Sequence, residues 1–151
     1  MQSRVIKNLK ELDDFAKFFV KHLPVSSKKA VVVGLAGELG SGKTTFTQTV
    51  AKIFGIKGYI TSPTFVIQKK YKIILPQNNF ENLIHLDAYR LGSGKELRDL
   101  GWEEITQNPK NIIFLEWPEK VCDILDEQVI FLHFEFLDET TREIKILNSN
   151  L

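Results

Sequence analysis

The sequence predicts an α/β fold, in which a mostly parallel sheet with antiparallel additions forms the middle layer of a three-layer sandwich. An apolar run at 30–36 (AVVVGLA) is typical of a buried parallel strand, and a glycine-rich loop and a helical pattern follow it directly. Two further apolar runs, at 83–87 (LIHLD) and 111–116 (NIIFLE), each end in a carboxylate. Alternating strand and helix patterns favour helices packed on a parallel sheet. We expect a single domain over residues 1–151, given the length of the chain.

The composition excludes several classes of protein. A net charge of +1 gives no overall electrostatic preference for nucleic acid or for a membrane surface. Cys122 is the only cysteine, so no internal disulfide can form, which fits a reducing compartment. The N-terminus lacks the apolar segment of a signal peptide, and no apolar run is long enough to span a bilayer. We therefore expect a cytoplasmic protein that makes no membrane contact.

A first helix is predicted to begin after Asn8, which has capping-box spacing to Glu11. Pro24 is expected to stop it. We expect this helix to pack on the sheet, with a partner-binding helix as the alternative. The apolar residues that recur at helical spacing are Leu9, Leu12, Ala16, Phe19 and Leu23.

The remaining elements follow in order. The pattern predicts a helix over 43–54, an extended segment over 64–75 and a turn at 76–82. One or two short helices are expected within 91–105, and another over 118–125, where proline takes the first position. The segments 129–137 and 142–147 flank a short polar stretch, which predicts a C-terminal hairpin.

The motif that indicates chemistry is GELGSGKTT at 37–45, which matches the phosphate-binding loop G-x-x-x-x-G-K-[ST] between a strand and a helix. Its glycines let the backbone N–H groups surround a phosphate, and the next helix adds its positive end. Lys43 is expected to reach the β- and γ-phosphates, and Thr44 to bind Mg²⁺. The alternative is a glycine-rich turn without a ligand. The predicted nucleotide-binding positions in the loop are Glu38, Leu39, Gly40, Ser41, Gly42, Lys43, Thr44 and Thr45.

Asp87 and Glu116 are the candidates for the acidic groups that nucleotide hydrolysis requires. Each follows an apolar strand, and ligands of open α/β sheets collect at the carboxyl ends of strands. One carboxylate could hold the metal while the other orients the attacking water, although each could also be a charged residue at a strand exit. Trp117 could lie against the nucleotide or pack in the core. Thr64 could lie near the γ-phosphate or belong to an ordinary proline turn.

Missing motifs narrow the choice of nucleotide and reaction. No N-K-x-D segment is present to read guanine, which disfavours a GTPase. A small-molecule kinase with the same phosphate loop is an alternative, and Arg90 and Arg98 are its only plausible lid arginines. A nucleotide sensor without hydrolysis is a third hypothesis. His85 and His133 lie in apolar strands and are interpreted as core residues with satisfied hydrogen bonds.

Taken together, these segments resemble the TsaE family, also called YjeE, whose members are ATPases of bacterial tRNA threonylcarbamoyladenosine synthesis. The matching segments occur in the family's order, from the first predicted strand to beyond residue 120. The stretch between Phe65 and His85 is longer than usual, and GSGK at 92–95 replaces the usual Asp-Pro. The segments are GELGSGKTT, SPTF at 62–65, HLDAYRL at 85–91, ELRDLGWEE at 96–104 and LEWPEK at 115–120.

The resemblance implies a role for individual residues. Lys43 and Thr44 match the family's phosphate-loop lysine and metal-binding threonine. Thr45, Thr64 and Asp87 match positions around the γ-phosphate, so Lys43, Thr64 and Asp87 are the expected catalytic set. Thr44 and Glu116 are then the expected Mg²⁺ ligands, and Trp117 and Arg142 are expected beside the nucleotide.

The resemblance also implies a P-loop fold, ATP and Mg²⁺ as cofactors, and a dimer of TsaD and TsaB as the partner. TsaD transfers the threonylcarbamoyl group to tRNA, so contact with tRNA is expected only through the complex. ATP binding would close the chain onto its partner and hydrolysis would reset the complex. We also expect slow hydrolysis by the isolated chain, since no arginine is evidently directed at the transition state.

Overall fold

The computed structural model describes residues 2–58, 60–61 and 67–147. Within these ranges no helix has the length and apolar character that crossing a membrane requires. The elements in chain order are β1 (Gln2–Ile6), α1 (Leu9–Lys21), β2 (Val31–Gly37), α2 (Lys43–Ile53), β3 (Gln68–Lys72), β4 (Asn82–Asp87), α3 (Gly94–Asp99), α4 (Trp102–Thr106), β5 (Asn111–Glu116), a 3₁₀ helix (Pro118–Ile124), β6 (Ile130–Phe136) and β7 (Arg142–Leu147).

The described strands form one seven-stranded sheet in the order β1-β7-β6-β2-β5-β4-β3. The four central strands, β6, β2, β5 and β4, run parallel to one another. β3 adds antiparallel to one edge, while β7 and then β1 add antiparallel to the other. β6 and β7 form the predicted hairpin. The predicted α/β class, with a parallel centre and antiparallel additions, is therefore confirmed.

Helices cover both faces of this sheet, which makes three layers. Alternate residues of β2 point to opposite faces. Val33 and Leu35 join the core beneath α1 and α2, whereas Val32 joins the core beneath α3, α4 and the 3₁₀ helix. Phenylalanine rings fill the first core, where Phe46 of α2 lies 5.7 Å from Phe19 of α1, centroid to centroid. This packing fixes α2 against the central strands, and so fixes the loop that precedes it.

Helix α1 begins with the predicted cap. The side chain of Asn8 accepts a hydrogen bond of 2.9 Å from the backbone N–H of Glu11, and the Glu11 carboxylate accepts one of 2.8 Å from the N–H of Lys7. The apolar face differs from the prediction at one position, because Leu9 is 73% exposed. Phe15, which was not among the predicted apolar residues of this helix, is buried.

Three elements differ from the predictions for physical reasons. The extended segment predicted over 64–75 contains only the short strand β3 in the described residues, since the N–H groups of Ile74 and Leu75 donate to the carbonyl of Phe54. β1 was not predicted, because only its last residue, Ile6, is buried and its sequence does not alternate. The helix predicted at 118–125 is a 3₁₀ helix interrupted by non-helical backbone at Val121.

Candidate functional site

The loop between β2 and α2 is shaped by glycines that no other residue replaces easily. Gly37, at the end of β2, has φ of +140°, and a Cβ atom there would lie 2.5 Å from the carbonyl oxygen of Phe134. Gly42 precedes α2 in a left-handed conformation, and no side chain caps the helix. The first N–H groups of α2 are therefore directed into the loop without a side-chain acceptor, which is the arrangement that binds anions.

Lys43 is folded back into this loop. Its ammonium donates to the carbonyl of Gly37 and, at 3.0 Å, to that of Glu38, and it lies 4.4 Å from the ring centroid of Trp117. Burial lowers the pKa of Lys43 below its ordinary value, although the carboxylates of Glu116, Glu119, Asp87 and Glu38 oppose this shift. A phosphate in the loop would give the buried ammonium an anionic partner in place of neutral carbonyls.

Below the loop, a hydroxyl and two carboxylates come together. Thr44 at the start of α2 donates a hydrogen bond of 3.0 Å from Oγ1 to Oε1 of Glu116. Glu116 ends β5 and Asp87 ends β4, and their Cα atoms are paired in the parallel register. Both carboxylates are buried, with 3% and 5% exposure. Oδ1 of Asp87 also accepts a hydrogen bond of 2.9 Å from the N–H of Tyr89.

His85, which its apolar strand predicts only as a core residue, is also a member of this cluster. It is fully buried, and its Nε2 lies 2.8 Å from Oε1 of Glu116. Its Nδ1 has no hydrogen-bond partner among the described residues, so the expectation of a satisfied histidine is wrong for that atom. The spacing of the two residues could have predicted this position for His85. His85 and Asp87 are two residues apart on one strand and therefore share a face of the sheet.

Trp117 lies directly above the phosphate loop. Its φ is +58°, which is an outlier for a large side chain. Its backbone N–H donates to the carbonyl of Leu35 at 3.3 Å. Its ring packs against Tyr89, with 5.1 Å between the centroids. The half-buried indole thus lies over Lys43 and also packs against the core that contains Val32.

A cavity of about 1180 Å³ opens over these groups. One end is formed by the loop, Asp87, Glu116 and Trp117, and the other by the start of α1 and the β6–β7 hairpin. Ile6, Leu12 and Ile144 give the second end an apolar wall, while Phe134 lines the cavity next to Gly37 and Gly42 of the loop. The cavity is large enough for a cofactor-sized ligand with one charged end and one apolar end.

The other predicted loop residues differ in their surroundings. Leu39 lines the cavity with 92% exposure, whereas Glu38 is exposed outside the cavity lining. Ser41 is buried, and its Oγ has no hydrogen-bond partner among the described residues. Gly40, Gly42 and the exposed Thr45 also line the cavity.

Arg142 and Thr64 complete the set of predicted site residues. Arg142 lines the cavity from the start of β7, but its guanidinium donates to the carbonyl of Thr141 at 3.0 Å and lies 4.5 Å from the ring centroid of Phe136. Its charged group is therefore engaged within the hairpin. Thr64 lies outside the described residues.

The donors present fit a hard cation that keeps most of its own water. The described residues contain no group of three histidine, cysteine or acidic side chains that could hold a metal alone. Mg²⁺, however, is commonly bound by one or two protein oxygens together with phosphate and water. Thr44 and Glu116 offer such oxygens 3.0 Å apart, next to the loop.

Comparisons with known proteins give one consistent answer. A family model described as "Threonylcarbamoyl adenosine biosynthesis protein TsaE" matches residues 6–144. The TsaE protein of Rickettsia typhi is 37% identical over 142 residues, which is 93% of this chain and 91% of that protein. The TsaE protein of Haemophilus influenzae is 33% identical over 135 residues, covering 89% and 82%.

A solved structure supports the same assignment. The crystal structure of YdiB from Bacillus subtilis superimposes with a TM-score of 0.74 at 26% identity, covering 99% of this chain and 86% of that one. The glycine loop, the buried lysine and the acidic strand ends lie within the matched residues. This chain belongs to the TsaE family, whose members take part in tRNA threonylcarbamoyladenosine biosynthesis.

Proposed function

We propose that this chain binds and hydrolyses ATP with Mg²⁺ as an accessory subunit of the tRNA threonylcarbamoyladenosine modification complex, cycling on and off a TsaD–TsaB dimer. The observation that carries the proposal is the contact between Thr44 and Glu116 beneath the glycine loop. It joins the metal-binding hydroxyl of a phosphate loop to an acidic residue at the end of the neighbouring strand, as nucleotide hydrolysis requires.

The triphosphate is held by main-chain N–H groups and by Lys43. The uncapped start of α2 provides N–H donors together with the positive end of the helix dipole. Lys43 exchanges the carbonyls of Gly37 and Glu38 for phosphate oxygens, which reverses the penalty that burial places on its charge. The ammonium then neutralises charge on the β- and γ-phosphates.

Thr44 and Glu116 hold the metal, and Asp87 acts on the water. When bound, Mg²⁺ neutralises negative charge on the phosphate oxygens. The Asp87 carboxylate orients a water molecule for attack on the γ-phosphorus, and the bond from that phosphorus to the bridging oxygen breaks to give ADP and phosphate. Asp87 is suited to this role because it lies beside Glu116 on the adjacent strand and is almost fully buried. The part assigned to Thr64 stays a prediction from the resemblance.

The adenine base is assigned to the apolar end of the cavity. Ile6, Leu12 and Ile144 line that end, and burying the apolar faces of an aromatic base against them is favourable. Trp117 lies nearer the phosphates, where its ring meets Lys43 in the present arrangement. The small-molecule kinase alternative gains no support, since Arg98, one of its two lid candidates, pairs with Glu103 at 3.1 Å.

The direct test is calorimetric titration of the chain with ATP and Mg²⁺. Wild type should bind at one site. Lys43→Ala should weaken binding about 10- to 100-fold, because a charged hydrogen bond to phosphate is worth about 1.5–3 kcal/mol. Lys52→Ala, an exposed lysine in the last turn of α2, is the matched control and should bind as wild type does. Equal affinities for all three proteins, or no heat with wild type, would contradict the proposed nucleotide site.

A further inference from the structure

We propose that His85 is a positioning residue, which fixes the Glu116 carboxylate for Mg²⁺ and thereby sets the magnesium dependence of nucleotide binding. The inference rests on the proposed function, because it concerns the same site. It goes further by assigning a role to a buried side chain that the hydrolysis scheme does not use.

The contact geometry assigns the protons. Oε1 of Glu116 lies 2.8 Å from Nε2 of His85 and 3.0 Å from Oγ1 of Thr44. A carboxylate accepts only, so the imidazole must carry its proton on Nε2 to make this hydrogen bond. Both side-chain donors that the described part of the chain supplies to Glu116 therefore meet at Oε1. The lone pairs of Oε2 are left for other ligands.

Packing alone does not explain an imidazole at this position. His85 is fully buried on β4, on the face of the sheet that carries Leu83 and Phe114, the register partner of His85, which are also fully buried. Its Nδ1 lacks a hydrogen-bond partner in the described residues, and a buried polar atom without a partner is destabilising. A leucine or phenylalanine would avoid this cost. The imidazole differs from them in the one hydrogen bond that it gives to Glu116.

A fixed carboxylate binds a metal better than a mobile one. Without the His85 donor, the Glu116 side chain would be held at Oε1 by Thr44 alone, and the hydroxyl of Thr44 is itself an expected ligand. Residues that hydrogen-bond to metal ligands typically change metal affinity about 10- to 100-fold when they are replaced. We expect a change of that size in the magnesium requirement.

The experiment measures ATP binding by calorimetry over a range of Mg²⁺ concentrations and once in EDTA. His85→Phe retains a ring of similar size but removes the donor, and should raise the half-saturating Mg²⁺ concentration about 10- to 100-fold. ATP affinity in EDTA should not change. His85→Gln keeps an N–H donor near the position of Nε2 and should restore the midpoint to within a few-fold of wild type.

Two controls separate positioning from a general structural effect. His133→Phe changes the half-buried histidine of β6, which lies outside the cavity lining, and should leave the Mg²⁺ midpoint unchanged. In a Glu116→Gln background, adding His85→Phe should cause no further shift, because His85 acts through that carboxylate. Thermal unfolding checks that each variant folds. If His85→Phe does not fold, His85→Leu takes its place with the same expected shift.

Unchanged Mg²⁺ midpoints in His85→Phe would overturn the inference. So would equal shifts in the phenylalanine and glutamine variants, or a full additional shift in the Glu116→Gln background. If the binding of ATP to wild type depends on Mg²⁺, and the Mg²⁺ midpoint of His85→Phe is the same, the role of His85 is contradicted while the proposed function stands. A wild type without Mg²⁺-dependent binding contradicts both this inference and the proposed function.

Discussion

Asp87 and Glu116 are chemically similar acids in adjacent positions, but their neighbours differ. Glu116 shares one oxygen between Thr44 and His85, which fits a carboxylate held still as a ligand. Asp87 accepts from the N–H of Tyr89 through Oδ1 and lies at the same level of the sheet. Both contribute negative charge at Lys43. At the residue scale, the hydrogen bonds described for the two carboxylates therefore fit the different roles that we propose for them.

Asp87→Asn tests this division of roles. The amide oxygen can still accept from Tyr89, so the fold and ATP binding should be retained, with affinity within about threefold of wild type. Hydrolysis should fall at least about 100-fold, which is the lower range for losing a group that acts on the attacking water. Single-turnover phosphate release measures this. The control is Asp99→Asn, which removes a carboxylate from an exposed ion pair with Lys95 and should hydrolyse ATP as wild type does. Undiminished turnover in Asp87→Asn would remove Asp87 from the mechanism.

The elements that the sequence predicted well are those whose signals are local. The glycine loop, α2 and the apolar central strands depend on residue types close together in the chain, such as Gly37 and Lys43. The contact between His85 and Glu116 depends instead on the register of β4 against β5. No local pattern encodes that register. β1 escaped prediction for a related reason, since it is an exposed edge strand held by pairing with β7 rather than by an apolar face.

At the element scale, β2 and β6 lie so close together at Gly37 that a side chain at this position should destabilise the fold. A Cβ atom there meets the carbonyl of Phe134 at 2.5 Å, and φ is +140°. Gly37→Ala should lower the free energy of unfolding by about 2–4 kcal/mol, through strain and overpacking together. Gly40→Ala is the matched control, because it has positive φ but open space around it, and should cost only about 1 kcal/mol. Urea denaturation compares the two, and equal losses would show that the contact with Phe134 does not limit the loop.

At the scale of the whole molecule, the cavity to which we assign the nucleotide has an open rim. Leu9 and Leu39, at its rim, are 73% and 92% exposed. The arginine that lines it, among the described residues, is Arg142, and the hairpin engages its guanidinium. Among the described residues that line the cavity, the proposed site thus has no arginine with a free guanidinium to offer the transition state. This is why we assign efficient turnover to the complex rather than to the isolated chain.

Adding a TsaD–TsaB dimer should therefore raise the rate of ATP hydrolysis by this chain. A partner that supplies a cation to the transition state would raise the rate about 10³- to 10⁵-fold. A partner that only orders the site should raise it less, and we expect a stimulation of at least about tenfold. Phosphate release with and without the dimer measures it, and Asp87→Asn in the same mixture reports hydrolysis by the dimer itself. A rate that does not change on adding the dimer would contradict the accessory role.

We propose above all that main-chain N–H groups of the loop at 37–45 surround the phosphates of ATP. Amide chemical shifts of the ¹⁵N-labelled chain, recorded while ATP and Mg²⁺ are added, report on these groups. We expect the largest shifts on Gly40, Gly42, Lys43 and Thr44, and we expect Lys43→Ala to lose them at the same nucleotide concentration. Shifts confined to another surface, or no shifts at saturating nucleotide, would contradict it.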